Sequence, residues 1–284
     1  MGLPELGLNF SWHDWGHFAA TKSFHDPVHD RRIISGWLAP DVPRTTPLHP
    51  YKYNSQSLLR EIRYDPRLRL LTTFPVAETE QLRYAEPSGQ LPRGTRLSAA
   101  RNLTLVASGA NQTEVRFRVR LEPWPEAPTK VGLRVMSANS SSDVGILLYV
   151  VLYPPPRPDA KVWCARAVSD RTSVWGAAGA EASSANGPNC DWPLIAGEDI
   201  DVAVYIDNTW VEWFVQGGRW AQTLAVPMLA FGGPVPAFGA GAEQGVVLFT
   251  NASGNAGVHV MEATAWPMRS IWHNQTTHDR PGPP

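Results

Sequence analysis

Proline punctuates this sequence too often to leave room for long helices. Its 26 prolines and 23 glycines are spread over 284 residues, with proline clusters at 39–50, 122–128 and 153–158. A proline inside a helix removes a backbone donor and clashes with the preceding turn, so strand-length pieces remain between the clusters. Val115-Arg116-Phe117-Arg118-Val119-Arg120-Leu121 alternates apolar and charged residues without a break, the pattern of a strand with one wet face. Residues 200–206 alternate more weakly, Asp207-Asn208 turns the chain, and 211–215 returns. Gly217-Gly218 reads as a two-residue hairpin connection into 219–223. Further strands are expected at 245–250 and 257–265, and the apolar run 144–153 reads as a buried strand. The first 75 residues add candidates at 18–24, 32–38, 57–64 and 70–74, with turns at Asp26-Pro27 and Asp65-Pro66. Residues 75–83 place good helix formers after a proline and predict a short linker helix. The fold class is all-β.

Charge and hydropathy exclude other classes. Basic and acidic side chains number 25 and 26, for a net charge of −1. A nucleic-acid binder would carry a basic face, so no nucleic-acid partner is expected. The run 144–153 is the longest apolar one and falls short of the roughly 20 residues a membrane helix needs, so no membrane partner is expected either. The 12 tryptophans, 9 phenylalanines and 7 tyrosines suit large β cores and sugar-stacking surfaces alike.

Six Asn-x-Ser/Thr sequons, at Asn9, Asn102, Asn111, Asn139, Asn251 and Asn274, point to the secretory route, with glycans on loops and strand ends. Cys164 and Cys190 are the only cysteines. They read either as one disulfide or as two buried thiols. The first residues contain no basic stretch followed by an apolar run, so no signal peptide is read there.

Six segments, in order, resemble glycoside hydrolase family 32, the invertases and fructan hydrolases. Asp14-Trp15-Gly16-His17-Phe18-Ala19-Ala20-Thr21-Lys22-Ser23-Phe24 is similar to that family's D-Y-G-x-x-Y-A-x-K-T-F segment. Arg31-Arg32-Ile33-Ile34-Ser35-Gly36-Trp37 resembles R-R-I-L-W-G-W, and Gln56-Ser57-Leu58-Leu59-Arg60-Glu61 resembles Q-S-[IL]-P-R-[KE]. Pro75-Val76-Ala77-Glu78-Thr79-Glu80-Gln81-Leu82-Arg83 is similar to P-V-x-E-[IL]-E-x-L-R. Val211-Glu212-Trp213-Phe214-Val215-Gln216-Gly217-Gly218-Arg219 is similar to V-E-[AV]-F-x-[ND]-x-G-R, and Ala265-Trp266-Pro267-Met268-Arg269-Ser270-Ile271-Trp272 to A-W-x-M-x-S-I-W.

The resemblance implies the end of a five-bladed β-propeller followed by a C-terminal β-sandwich. Residues 1–75 would be a propeller remnant, 76–94 a linker, 95–273 the sandwich and 274–284 a tail. A retaining glycosidase of this kind needs two carboxyl groups about 5 Å apart, which the family carries in N-D-P-N-G and E-C motifs, with a further Asp in R-D-P. None of these motifs occurs here, so no catalytic residue is assigned. This chemistry uses carboxylates and water, and no cofactor is implied.

On the substrate side, Asp14 matches the family's D-x-G Asp, which holds the non-fructosyl part of the substrate. Three residues on, many plant-type members carry Lys where this chain has His17. A neutral imidazole supplies no fixed positive charge at pH 7. Trp37 matches the Trp lining the fructose subsite. The structural alternative is that Asp14 caps a turn and Trp37 is blade core. His13-x3-His17 and His25-x3-His29 mimic metal-ligand spacing, but that spacing needs a helix, which Pro27 and the strand pattern oppose.

Two functions compete. In the first, the chain is the C-terminal part of a secreted, cell-wall or vacuolar β-fructofuranosidase-type hydrolase acting on sucrose or fructans. The signal peptide and catalytic acids would lie upstream, and Met1 would be internal. In the second, it is a non-catalytic, lectin-like carbohydrate-binding module; Trp124, Trp163, Trp175, Trp192 and Trp210 are candidates for a sugar-stacking face, with core packing the reading for most of them.

Overall fold

The computed structural model describes residues 12–38, 55–137, 145–175, 182–183, 191–207, 210–225, 245–252 and 257–269. The described chain is three antiparallel sheets. The first holds β1 (Phe18–Asp26), β2 (Arg31–Leu38), β3 (Ser55–Gln56), β4 (Arg60–Asp65) and β5 (Leu70–Pro75), in the order β1-β2-β4-β5 with β3 also on β2. This is the four-stranded meander of a propeller blade. Both expected Asp-Pro turns form here. The Asp26 carboxylate accepts the Val28 amide at 3.1 Å and the Asp65 carboxylate accepts the Arg67 amide at 2.9 Å, the local bonds that make Asp a turn former. The expected linker helix is a 3-10 helix, Ala77–Leu82. Arg31 ties it to the first hairpin by bridging Asp26 and Glu78.

Two seven-stranded sheets follow and pack face to face as a β-sandwich. Its strands are β6 (Gly89–Gln90), β7 (Arg96–Leu97), β8 (Leu103–Val106), β9 (Gln112–Leu121), β10 (Thr129–Ser137), β11 (Ile146–Leu152) and β12 (Val162–Asp170). They continue with β13 (Ala182–Ser183), β14 (Trp192–Ile195), β15 (Ile200–Asp207), β16 (Trp210–Val215), β17 (Trp220–Ala225), β18 (Gly245–Thr250) and β19 (Val258–Pro267). One sheet runs β13-β12-β11-β10-β18-β8, with β14 on β12; the other runs β17-β16-β15-β9-β19-β6, with β7 on β19. The sandwich ladder therefore begins at Gly89, within the stretch read from the sequence as linker.

The alternation in β9 is the clearest link from sequence to packing. Val115, Phe117, Val119 and Leu121 are buried between the sheets, while Arg118 and Arg120 face out. Trp192, Trp213 and Trp220 fill the same core at 0% exposure. β15 alternates weakly for a different reason, because it is covered on both faces. Val202, Val204 and Ile206 point into the sandwich, whereas Ala203 and Tyr205 join Phe214 and Ala221 in a second cluster under the first sheet. Leu58 and Phe74 pack onto that cluster, Phe74 meeting Phe214 edge-on at 5.5 Å.

The first sheet is also stitched to the sandwich by backbone bonds. The Trp15 amide donates to Ala221 at 2.9 Å and the His17 amide to Thr223 at 2.9 Å. This short segment thus runs along β17 in the same direction and covers an otherwise open strand edge. Gly16 makes the approach feasible, since a Cβ there would lie 1.9 Å from the Thr223 carbonyl oxygen.

The structure corrects the hairpin reading. β16 and β17 pair at Val215 and Trp220, so the loop is the four residues Gln216 to Arg219. Gln216, Gly217 and Gly218 all adopt positive φ, at 50°, 60° and 87°, so the glycine pair serves an extended left-handed run. Gly218 accepts the Thr73 amide at 3.2 Å, and a Cβ on it would sit 2.1 Å from the Thr73 carbonyl oxygen. β6, β7, β8, β10, β12, β13 and β14 lie outside the strands that the sequence predicts. Cys164 on β12 is disulfide-bonded; Cys190 lies outside the described residues.

Gly218→Ala combines an unfavourable φ with a backbone clash, so it is expected to destabilise the protein by about 2–4 kcal/mol. For a chain of this size that lowers Tm by several degrees, measured by thermal unfolding. A Tm equal to wild type would show that the loop does not dock on Thr73.

Candidate functional site

Where the first sheet meets the sandwich, a buried ion cluster joins residues from four elements. Arg60 opens β4 and is fully buried. One of its terminal nitrogens lies 2.8 Å from Asp14 Oδ2, and the other donates to Glu212 Oε2 at 2.6 Å and to Thr223 Oγ1 at 2.8 Å. Asp14 comes from the segment before β1, Glu212 from β16 and Thr223 from β17. The guanidinium lies between the rings of Phe18 and Phe214, 4.3 and 4.7 Å from their centroids. That setting suits a planar, weakly hydrated cation. Burial alone would favour the neutral guanidine, but Asp14 and Glu212 outweigh it and hold Arg60 charged. Burial pushes the Glu212 carboxyl up, with Arg60 opposing.

The cluster spends both oxygens of Asp14. Oδ1 accepts the Gly16 amide at 2.7 Å and the Thr223 amide at 3.0 Å, while Oδ2 accepts the Thr223 hydroxyl at 2.7 Å and faces Arg60. A carboxylate has about four acceptor sites, and these contacts fill them. Asp14 therefore caps the turn at Gly16 from inside the seam, with its carboxylate turned away from open space. Glu212 spends its second oxygen on the Leu58 amide at 2.8 Å. The His13 carbonyl accepts from Arg60 at 3.3 Å and from Thr73 at 3.0 Å. Burial, with Arg60 nearby, lowers the His13 imidazole pKa.

One end of the first sheet forms an exposed rim. Trp37, near the end of β2, is 56% exposed, so it is not blade core. It pairs with Ala19 of β1 and Gln56 of β3. His17, immediately before β1, is half-buried, with its ring 6.3 Å from that of Trp210 in an edge-on arrangement. His17 and Trp37 thus share one end of the sheet, and Asp14 lies in the segment that leads to His17. Arg60, Glu212 and Thr223 received no role from the sequence. Two of them stand inside motifs that were visible, Arg60 in Gln56–Glu61 and Glu212 beside Val211.

Other candidates separate. Trp163 and Trp192 are buried, and Trp124 packs edge-on against Trp163 at 5.3 Å and donates to the Tyr153 carbonyl. The core packing expected for most of these tryptophans therefore holds for Trp163 and Trp192, with Trp124 packed against them; the Trp175 side chain lies outside the described residues. Among the described residues no three His, Cys, Asp or Glu side chains converge as a metal site. His29 instead bonds Asp26 at 2.8 Å. Asn102, Asn111 and Asn251 are exposed, and Asn9, Asn139 and Asn274 lie outside the described residues.

A second polar seam fixes the linker. Glu114 of β9 accepts from Arg83 at 2.8 and 2.7 Å and from Arg116 at 2.6 Å, and Arg116 continues to the Tyr205 hydroxyl at 2.8 Å. Burial pushes Glu114 up, but the Arg83 hydrogen bonds and the Arg116 charge outweigh it and hold its pKa below the usual range.

No protein-family model matches the chain. Curated relatives do. The chain is 27% identical over 280 residues to an acid β-fructofuranosidase of Solanum lycopersicum, covering 88% of this chain and 41% of that one. It is 24% identical over 307 residues to an insoluble β-fructofuranosidase isoenzyme of Arabidopsis thaliana, covering 96% and 48%. Fructan 1-exohydrolase IIa of Cichorium intybus, solved in complex with 1-kestose, superposes with a TM-score of 0.69 at 20% identity, over 91% of this chain and 49% of that one. Exo-inulinase of Aspergillus awamori superposes at 0.61 and 13% identity, over 92% and 45%. The resemblance to glycoside hydrolase family 32 therefore extends over about nine-tenths of the chain, and the chain spans less than half the length of these relatives.

Two outcomes are expected. Arg60→Met leaves two buried carboxylates without their cation and costs about 3–5 kcal/mol, measured by urea unfolding; a loss below about 1 kcal/mol would contradict the cluster's role. Glu114 has a lowered folded pKa, so its contribution is present above the ordinary value of 4.5 and is lost as pH falls through the folded value. Glu114→Gln should therefore flatten the loss of stability on acidification below about pH 4.5. An acid limb as steep as wild type would count against it.

Proposed function

We propose that this chain is the C-terminal part of a β-fructofuranosidase-type glycoside hydrolase that cleaves fructosyl bonds in sucrose or fructans. In this reading it supplies one wall of the substrate site and the sandwich that braces it, and the catalytic carboxylates come from the part of the enzyme that carries N-D-P-N-G, R-D-P and E-C. One observation carries the reading. Three segments of the resemblance, far apart in the chain, meet at one place: the D-x-G segment brings Asp14, the Gln56–Glu61 segment brings Arg60, and the V-E segment brings Glu212. A cluster that costly to desolvate, fixing the segment that leads to His17 and the sheet that carries the exposed Trp37, is what a braced substrate wall requires.

The residues divide the work accordingly. Trp37 offers an apolar ring face to the fructosyl unit. His17 stands on the side of the remaining sugar, with an imidazole where many plant-type members carry Lys. Asp14 acts through the backbone: it fixes the Gly16 turn and so the position of His17. We also assign the protein to the secretory route, destined for export, the cell wall or the vacuole. Three exposed sequons, Asn102, Asn111 and Asn251, support this, and we pair the bonded Cys164 with Cys190.

The test is fructose release. The 284-residue chain, purified free of invertase activity, should release no fructose from sucrose or 1-kestose, because loss of the nucleophile removes the covalent step. Measurable turnover by the chain alone would overturn the division of labour. A transcript whose frame continues upstream into N-D-P-N-G would support it; an in-frame stop directly upstream would contradict it.

A further inference from the structure

The sandwich contributes a side chain to the rim that none of the matched motifs includes. Trp210 is the first residue of β16, immediately before the V-E segment, and is half-buried. Its indole N–H donates to Ser55 Oγ at 3.1 Å, and its ring meets His17 edge-on at 6.3 Å. Ser55 pairs with Leu38 across β2 and β3, and the next residue, Gln56, pairs with Trp37. Trp210 and His17 therefore meet at this end of the first sheet on the side of Leu38 and Ser55, while Trp37 and Gln56 alternate to the other face.

We infer that Trp210 is a specificity-determining residue that stacks on the saccharide unit beyond the terminal fructosyl ring. Saccharides present C–H faces that stack on indoles and hydroxyls that pair with imidazoles, and Trp210 with His17 offers both. The indole is held for the task. Its only donor is spent on Ser55, which fixes the ring plane. Two residues along β16, Glu212 is locked into the buried Arg60 cluster, so the strand carrying Trp210 is rigid where it meets the rim. Its place beside His17 puts it on the non-fructosyl side, away from the fructosyl contact assigned to Trp37. This inference rests on the fructoside reading above.

Saturation-transfer NMR on the 284-residue chain, with fructose, sucrose and 1-kestose as probes, tests it. Trp210→Phe and Trp210→Leu both keep an apolar side chain in the seam, so comparing them isolates the ring from the fold. Wild type should bind sucrose and 1-kestose at millimolar concentration, with saturation reaching the non-terminal unit. Trp210→Phe should stay within about threefold of wild type. Trp210→Leu should lose about tenfold in affinity for 1-kestose, the size of one stacked ring, with fructose binding unchanged. Equal 1-kestose affinity in the Phe and Leu variants would overturn the inference. If Trp37→Ala abolishes binding while Trp210→Leu does not, the inference alone falls. If wild type binds none of the three sugars, the fructoside reading falls with it.

Discussion

A single buried guanidinium organises this molecule. Arg60 is out of contact with water and sits between two aromatic rings and two carboxylates, one from the first sheet's leading segment and one from the sandwich. Taking such a group out of water is expensive, and the cost is recovered only if every partner keeps its place. The geometry of the seam follows. Asp14 must stay by the Gly16 turn, Glu212 must reach the Leu58 amide, and Thr223 must serve both Asp14 and Arg60. The apolar contacts of Leu58 and Phe74 supply area, and the ionic cluster supplies register. A charged seam is less forgiving of a slipped strand than a greasy one.

Much of the fold is legible in the chain because each strand with one wet face announces itself. β9 is the clearest case, its arginines alternating with Val115, Phe117 and Val119. The two Asp-Pro turns are legible because Asp supplies its own turn hydrogen bond. β15 is harder: its outward residues Ala203 and Tyr205 are apolar since the first sheet covers them, a fact no local window contains. β10 and β12 carry Arg134 and Arg166 among apolar neighbours, which blurs the period. The Gly217-Gly218 pair signals a turn, but a loop of four rather than two residues follows from its docking on Thr73.

The site was legible in part for the same reason. His17 and Trp37 stand in recognisable segments and do come together at one end of a sheet. Arg60 and Glu212 look in sequence like ordinary exposed strand charges. Their burial depends on a partner 152 residues away, and only the tertiary seam reveals it. Asp14 is instructive, because the structure sets it in the seam with both oxygens engaged. In the proposed fructoside site its influence on a substrate would be exerted through the backbone of Gly16 and His17, with the sandwich as a partner in shaping that site.

Through this seam the first sheet and the sandwich form one structural unit. Hydrogen–deuterium exchange of the intact chain tests it most directly. The amides of Trp15, His17, Leu58 and Thr73 all donate across the seam. The account predicts that they exchange on the slow timescale of the β15 and β16 core amides, because they are released only when the whole unit opens. Exchange of these four amides orders of magnitude faster than the sandwich core would show that the first sheet detaches independently, and would contradict the account.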